Sequence, residues 1–259
     1  MKYDPLDIDS INASVDCREI HYFESLDSTN SWLLAHGECG EICISEKQTT
    51  GRGRRGNSWV SPQGNICFSL CWCFDEIAEH WSLLGLVTGI AIAEALADVG
   101  LINHGVKWPN DIFWQQKKMG GILLESIGES GRVVIGIGLN INLPNESEKV
   151  IGQPIVNLNE ALDNKKLSRN QLVSSLIMRL QENLRGFKRL NFDQFKKSWQ
   201  TWDILQGEHV SFNHQGSNVS GEVVDIDKHG RLGILKPSGE RCFYSSADIK
   251  LTKYSGGSR

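Results

Sequence analysis

Apolar residues recur along the chain with two different spacings, and the change from one to the other divides it. Residues 1–20 show no strong period and read as a lead-in arm. In "FESLDSTNSWLLAHG" (23–37), Ser28 or Thr29 precedes an apolar stripe that stops at a glycine, which predicts a capped helix. "EICISE" (41–46) reads as a short strand, and "GNICFSLCWCF" (64–74), apolar on both faces, as a central one. "HWSLLGLVTGIAIAEALADVG" (80–100) predicts a helix apolar nearly all round, ended by Gly100. Short strands are expected at "GVKW", "DIFW", "GGILLES" and "RVVIGIGLNIN". Helical spacing returns in 165–190, where Ser168 is a credible N-cap, and continues through 191–202.

Beyond Leu205 the period becomes short strands broken by glycine turns every eight to twelve residues, the pattern of a small β-barrel. The expected organisation is a catalytic domain at 1–204, a barrel at 205–252 and a flexible tail at 253–259.

Composition narrows the class. With 40% apolar residues and eight tryptophans among 259 positions, the chain can bury a substantial core. A net charge of −4 with mixed signs argues against a general nucleic-acid binder, which needs a basic face. The seven cysteines lie in apolar stretches and read as buried free thiols of a reducing cytoplasm; a metal site would need a second group at ligand spacing. "MKYDPLDIDS" is not a signal peptide, and the apolar run Trp81–Ala93 is too short to span a bilayer. A cytoplasmic protein is expected.

Against that mildly acidic background, "QTTGRGRRGNSW" (48–59) concentrates three arginines in a glycine-broken loop. Glycines let the backbone approach a ligand, and guanidinium forks with backbone N–H groups suit phosphate or carboxylate. No GK[ST] follows as in a P-loop, and no helix as in a dinucleotide fingerprint. Taken alone, the loop could equally be a mobile basic loop or an RG-type RNA contact. "KWPNDIFWQQKKMGGILLES" adds Lys107, Asn110, Asp111, Lys117 and Lys118 around a proline turn; such lysines can neutralise developing negative charge, or can simply be solvated. In "GIGLNIN", Asn140 and Asn142 follow a strand whose backbone needs room.

Together "DSTN" (27–30), "EKQTTGRGRRG" (46–56), "KWPNDI" (107–112), "KKMGGILLE" (117–125) and "GIGLNIN" (136–142) resemble, in order and spacing, the biotin protein ligases. The resemblance implies an α/β catalytic domain of the biotin/lipoate ligase type on a mixed sheet, with a small C-terminal SH3-like β-barrel. It implies that ATP activates biotin to biotinyl-5′-AMP with loss of pyrophosphate, Mg²⁺ accompanying the phosphates. A lysine of a biotin carboxyl carrier protein, in acetyl-CoA carboxylase or another biotin-dependent carboxylase, then receives biotin.

By the same resemblance, Ser28, Thr29, Asn30 and Gln48 would meet the biotin ring, and Arg52, Gly53 and Arg54 would close over biotin and the acyl-phosphate. Lys118 would be the active-site lysine, with Asp111 as its acidic neighbour; Lys118, Arg54 and Asp111 form the catalytic set. Arg54, Arg55, Trp59, Lys107, Asn110, Asn140 and Asn142 would face the nucleotide. No resident metal ligands are expected. Few residues precede "DSTN", so an enzyme without a winged helix-turn-helix, and without operator binding, is expected. It could be a monomer or a homodimer. The competing readings are a lipoate or octanoate ligase or transferase of the same fold, and a non-catalytic RNA-binding module.

Overall fold

The structure, a computed structural model, describes residues 4–75, 81–128, 131–144, 147–165, 167–245 and 249–251. The tail expected at 253–259 lies outside the described residues. The N-terminal stretch is not a featureless arm. Helix α1 (Ile8–Ser14) forms because the Asp7 side chain accepts from Ser10 N and Ile11 is driven fully into the core. One buried residue in seven leaves too little periodicity to read from sequence.

Strands β1 (Glu19–Phe23) and β2 (Glu41–Ser45) pair in parallel, joined by α2 (Thr29–His36). Ser28 caps α2, its hydroxyl accepting from Ser31 N, and Gly37 ends it. There follow β3 (Ile66–Cys73), α3 (Leu84–Asp98), β4 (His104–Lys107), β5 (Asp111–Trp114), β6 (Lys117–Ile127) and β7 (Arg132–Leu139). The seven strands form one mixed sheet in the order β1-β2-β3-β7-β6-β5-β4, antiparallel except for β1 and β2. The chain continues through α4 (Ser147–Ile151), α5 (Leu158–Ala161), α6 (Arg169–Phe187) and α7 (Phe192–Trp202). The short α4 and α5 are additions to the sequence reading.

The strand period of two gives the sheet two different faces. In β7, Val133, Ile135, Ile137 and Leu139 are buried with α3 and α6 in the main core. Each such side chain contributes about 1.5–3 kcal/mol relative to exposure. Trp81–Asp98 is long and apolar enough to cross a membrane, yet α3 is buried along most of its length and packs on β4, β5, β6, α6 and α7. The opposite sheet face carries α2 over a smaller cluster of Leu33, Cys43, Cys71 and Val134.

After α7 come β8 (His209–His214), β9 (Ser217–Ile226), β10 (Leu232–Leu235), β11 (Arg241–Tyr244) and β12 (Lys250–Leu251), an antiparallel sheet in the order β11-β10-β9-β8-β12. Gln215 and Gly216, both at positive φ, make the tight turn between β8 and β9. The two sheets are tied together: Trp108 Nε1 donates to Gly230 O at 2.8 Å, and Lys196 of α7 pairs with Asp225 of β9 at 2.9 Å.

One expectation about the cysteines fails. Cys39 and Cys73 are joined in a disulfide, because the turn before β2 lies beside the end of β3, with Cα atoms 5.6 Å apart. Cys43, Cys67 and Cys71 are buried free thiols, whereas Cys17 and Cys242 are partly exposed.

Candidate active site

Small residues pave the α2 face of the sheet, and the site stands on that floor. Glycines 136 and 138 of β7 and 121 of β6 lack the Cβ atoms that neighbours would strike. A Cβ on Gly138 would sit 2.5 Å from the Trp59 indole, one on Gly121 only 3.3 Å from the same ring, and one on Gly136 would overlap the Asn30 amide. Trp59 and Asn30 therefore lie directly over strand backbone. The alternation of isoleucine and glycine in "VIGIGL" serves both faces at once: isoleucines to the core, glycines to the site.

Above the floor, the N-terminus of α2 and the segment after β2 build a neutral polar end. Gln48 Oε1 accepts from Thr29 N at 2.9 Å and from Thr29 Oγ1 at 3.1 Å. Thr29 Oγ1 is 2.7 Å from Ser69 Oγ, which donates to Asn30 Oδ1 at 2.5 Å. Asn30 Nδ2 then donates to Glu125 Oε2 at 3.0 Å. Ser28, Thr29 and Asn30 are all buried. Ser69 and Glu125 escaped the sequence reading; the signals were a lone serine and a lone glutamate within apolar strands.

The other end is cationic. A β-bulge between β5 and β6 pairs Ile112 with Gly120 but Phe113 with Lys118, so Met119 is the extra residue and is fully buried. The bulge puts Lys118 on the same face as Gly121, three positions on, where strict alternation would put it on the other. Lys118 Nζ reaches Asp111 Oδ1 at 2.8 Å and lies 5.6 Å from the Trp59 ring centroid. Arg54 Nη1 donates to Asn110 Oδ1 at 2.8 Å, and Asn110 Nδ2 to Ile122 O at 2.9 Å. Lys107 lies 4.8 Å from the Phe113 ring centroid. Arg55, at φ 55°, turns the loop through a left-handed step.

The arginine loop is itself a small hairpin. Gly53 N donates to Asn57 O at 2.7 Å and Trp59 N to Gly51 O at 2.8 Å. Arg52 is engaged by Glu125 at 2.6 Å and Arg54 by Asn110 at 2.8 Å. Beneath Trp59, burial pushes the Cys67 thiol up to about 11, although hydrogen bonds from Ser61 and Trp59 oppose the shift. Cys67 is thus a neutral packing group.

These residues enclose a cavity of about 830 Å³, large enough for a nucleotide-sized ligand. Every candidate residue lines it except Lys117 and Asn142. Asn142 is outside the lining, and its backbone N–H donates to Asn65 Oδ1 at 3.1 Å. Asn140, buried, braces β6 by donating to Lys118 O at 3.4 Å. The lining includes five cationic side chains, Arg52, Arg54, Arg55, Lys107 and Lys118, against one carboxylate, Asp111, a balance that favours an anion. The segment Val150–Ile155 and Ile249 complete the wall and were not anticipated. Among the described residues, one His/carboxylate cluster could hold a metal, Glu19, His21 and Glu41; it lies on β1 and β2 and none of the three lines the cavity.

Comparison with known proteins agrees with this architecture. The model of the biotin/lipoate A/B protein ligase family matches residues 22–142. The bifunctional ligase/repressor BirA of Escherichia coli is 35% identical over 244 residues, covering 90% of this chain and 75% of the relative. A biotin–[acetyl-CoA-carboxylase] ligase of Mycobacterium tuberculosis is 28% identical over 92% of this chain and 91% of its own. The solved biotin protein ligase of Aquifex aeolicus in complex with biotin and ATP superposes with a TM-score of 0.78 at 28% identity, covering 92% of this chain and all of that one. On its sequence and its fold, the chain belongs to the biotin protein ligases of the biotin/lipoate A/B protein ligase family.

Proposed function

We infer that this protein activates biotin with ATP to biotinyl-5′-AMP and pyrophosphate, then transfers biotin to a lysine of a carrier protein. The observation that carries the reading is the division of one cavity into a neutral hydrogen-bonding end and a cationic end. Ser28, Thr29, Asn30 and Gln48 offer donors and acceptors without charge, as a uncharged urea ring requires. Arg54 and Lys118 would meet the carboxylate and the α-phosphate, with Arg52 and Gly53 in the loop that closes over them.

In the first step a biotin carboxylate oxygen attacks the α-phosphorus, and the bond to the bridging oxygen of pyrophosphate breaks. Lys118 and Arg54 hold the charge that builds on the phosphoryl oxygens, with Asp111 orienting Lys118 through the 2.8 Å contact. Mg²⁺ would accompany the ATP phosphates and offset part of their charge. Arg55, Trp59, Lys107, Asn110 and Asn140 border the nucleotide side. In the second step the carrier lysine's neutral amine attacks the acyl carbon, an amide forms and AMP leaves. Loop closure keeps water from the anhydride. Residues 1–204 carry this chemistry, and 205–252, joined to them by the Trp108–Gly230 hydrogen bond, help to hold ATP and carrier.

The expected partner is the carrier subunit of acetyl-CoA carboxylase or of another biotin-dependent carboxylase. Purified protein, biotin, Mg·ATP and a carrier domain should yield one biotin-mass addition on a single lysine. Addition of lipoate in place of biotin, or no addition with folded protein and several carriers, would overturn the reading.

A further inference from the structure

Glu125 does not line the cavity, yet both of its carboxylate oxygens are engaged by groups that do. Oε1 accepts from Arg52 Nη2 at 2.6 Å, and Oε2 from Asn30 Nδ2 at 3.0 Å. Arg52 reaches the neighbouring helix as well, donating to Ser31 Oγ at 3.3 Å. Its backbone is paired with Ser58 inside the loop hairpin, so its side chain joins the loop to Glu125 and to α2. Asn30 opens the chain of hydrogen bonds through Ser69 and Thr29 to Gln48. One carboxylate is therefore the common anchor of the arginine loop and of the neutral end of the site.

We propose that Glu125 is a positioning residue, the latch that holds the arginine loop closed over the acyl-adenylate through Arg52 while fixing Asn30 for the ring of the ligand. The proposal rests on the ligase reading. Its chemical consequence concerns water. When the loop is loose, water attacks the acyl carbon, the bond from that carbon to the phosphate oxygen breaks, and biotin and AMP return to solution. ATP is then consumed without transfer. Glutamate accepts at both oxygens and is charged, whereas an amide has one acceptor oxygen and no charge, so Glu125→Gln weakens the latch while nearly keeping its shape.

The test compares full-length wild type with Glu125→Gln and Glu125→Asp, using biotin, Mg·ATP and a carrier domain. Pyrophosphate released per biotin transferred is measured together with KM for biotin and kcat for transfer. Wild type should release close to one pyrophosphate per transfer. Glu125→Gln should release several, with KM for biotin raised about tenfold and kcat changed little, the signature of lost binding and not of lost chemistry. Glu125→Asp, which keeps the charge, should lie between them. Trypsin should also cut at the loop arginines faster in Glu125→Gln than in wild type. Wild-type stoichiometry, KM and cleavage in a folded Glu125→Gln would overturn the latch alone. Absence of biotin-dependent pyrophosphate release from wild type would overturn the ligase reading and the latch with it.

Discussion

Arg169 and Glu46 form an ion pair almost sealed from water: Nη2 and Oε2 are 2.9 Å apart, with side chains 3% and 2% exposed. The pair is a junction. Arg169, at the start of α6, also donates to Asn65 O at 2.8 Å and to Asp4 O at 2.5 Å, while Glu46 accepts from Leu6 N at 3.2 Å. Glu46 stands two residues before Gln48, so the root of the arginine loop is fixed to the N-terminal segment and to α6. Removing one partner strands a buried charge, and Arg169→Met should cost about 3–5 kcal/mol. Urea unfolding of the purified variant checks this, and a loss below 1 kcal/mol would show that the pair is not a keystone.

Lys118→Ala removes the cation beside Asp111 and should slow biotin-dependent pyrophosphate release by about 10²–10³, the scale of losing one preorganised charge-stabilising group. Its thermal midpoint should stay near wild type, because Lys118 lies at a cavity wall and not in the core. Rates within a few-fold of wild type would remove Lys118 from the chemistry.

Gly138→Ala should thrust a methyl into the Trp59 indole, which Cys67 and Gly121 leave little space to retreat. Overpacking of this kind costs about 1–3 kcal/mol. Biotin affinity, read by titration calorimetry, should fall by about tenfold or more as Trp59 is displaced. Adding Trp59→Leu to Gly138→Ala should recover most of the lost stability; no recovery would mean that the methyl strikes something else.

Burial pushes the Asp203 carboxyl up to about 6, against hydrogen bonds from Leu205 N and Trp199 Nε1 that favour its charge. The folded state holds this proton more tightly than the unfolded chain, whose ordinary value is 3.8. Its contribution is thus fully present below about pH 4 and is lost as pH rises through about 6, a change of about 3 kcal/mol at most. Depressed carboxyls such as Asp98 and Asp225 act in the opposite sense. The clean observable is the difference in unfolding free energy between wild type and Asp203→Asn, which should move against wild type from pH 4 to pH 7. A flat difference would refute the assignment.

The sequence made legible those features whose cause is local. Ser28, Ser168 and the glycine spacing of 136 and 138 act on their immediate neighbours, and the helices and site strand they announce are present. The motif resemblance brought fourteen of the cavity's residues into one group, yet it could not separate Asn140 from Asn142. Those two share a segment, and the second differs in having its backbone N–H held by the distant Asn65 side chain. Glu125, Ser69 and the Cys39–Cys73 link were illegible for the same reason: each is defined by a partner at least 34 residues distant in the chain.

Glycines 121, 136 and 138 make the site out of side chains that are not there, and that gives its variation a direction. Nothing at these positions can be trimmed, so every substitution subtracts room. The binding volume can be narrowed from below in single steps, but it cannot be widened there; room has to come from the walls or from above, by changing Trp59 or the loop that carries it. A laboratory search for variants that accept bulkier acyl groups would do best to leave the floor untouched and randomise the lid.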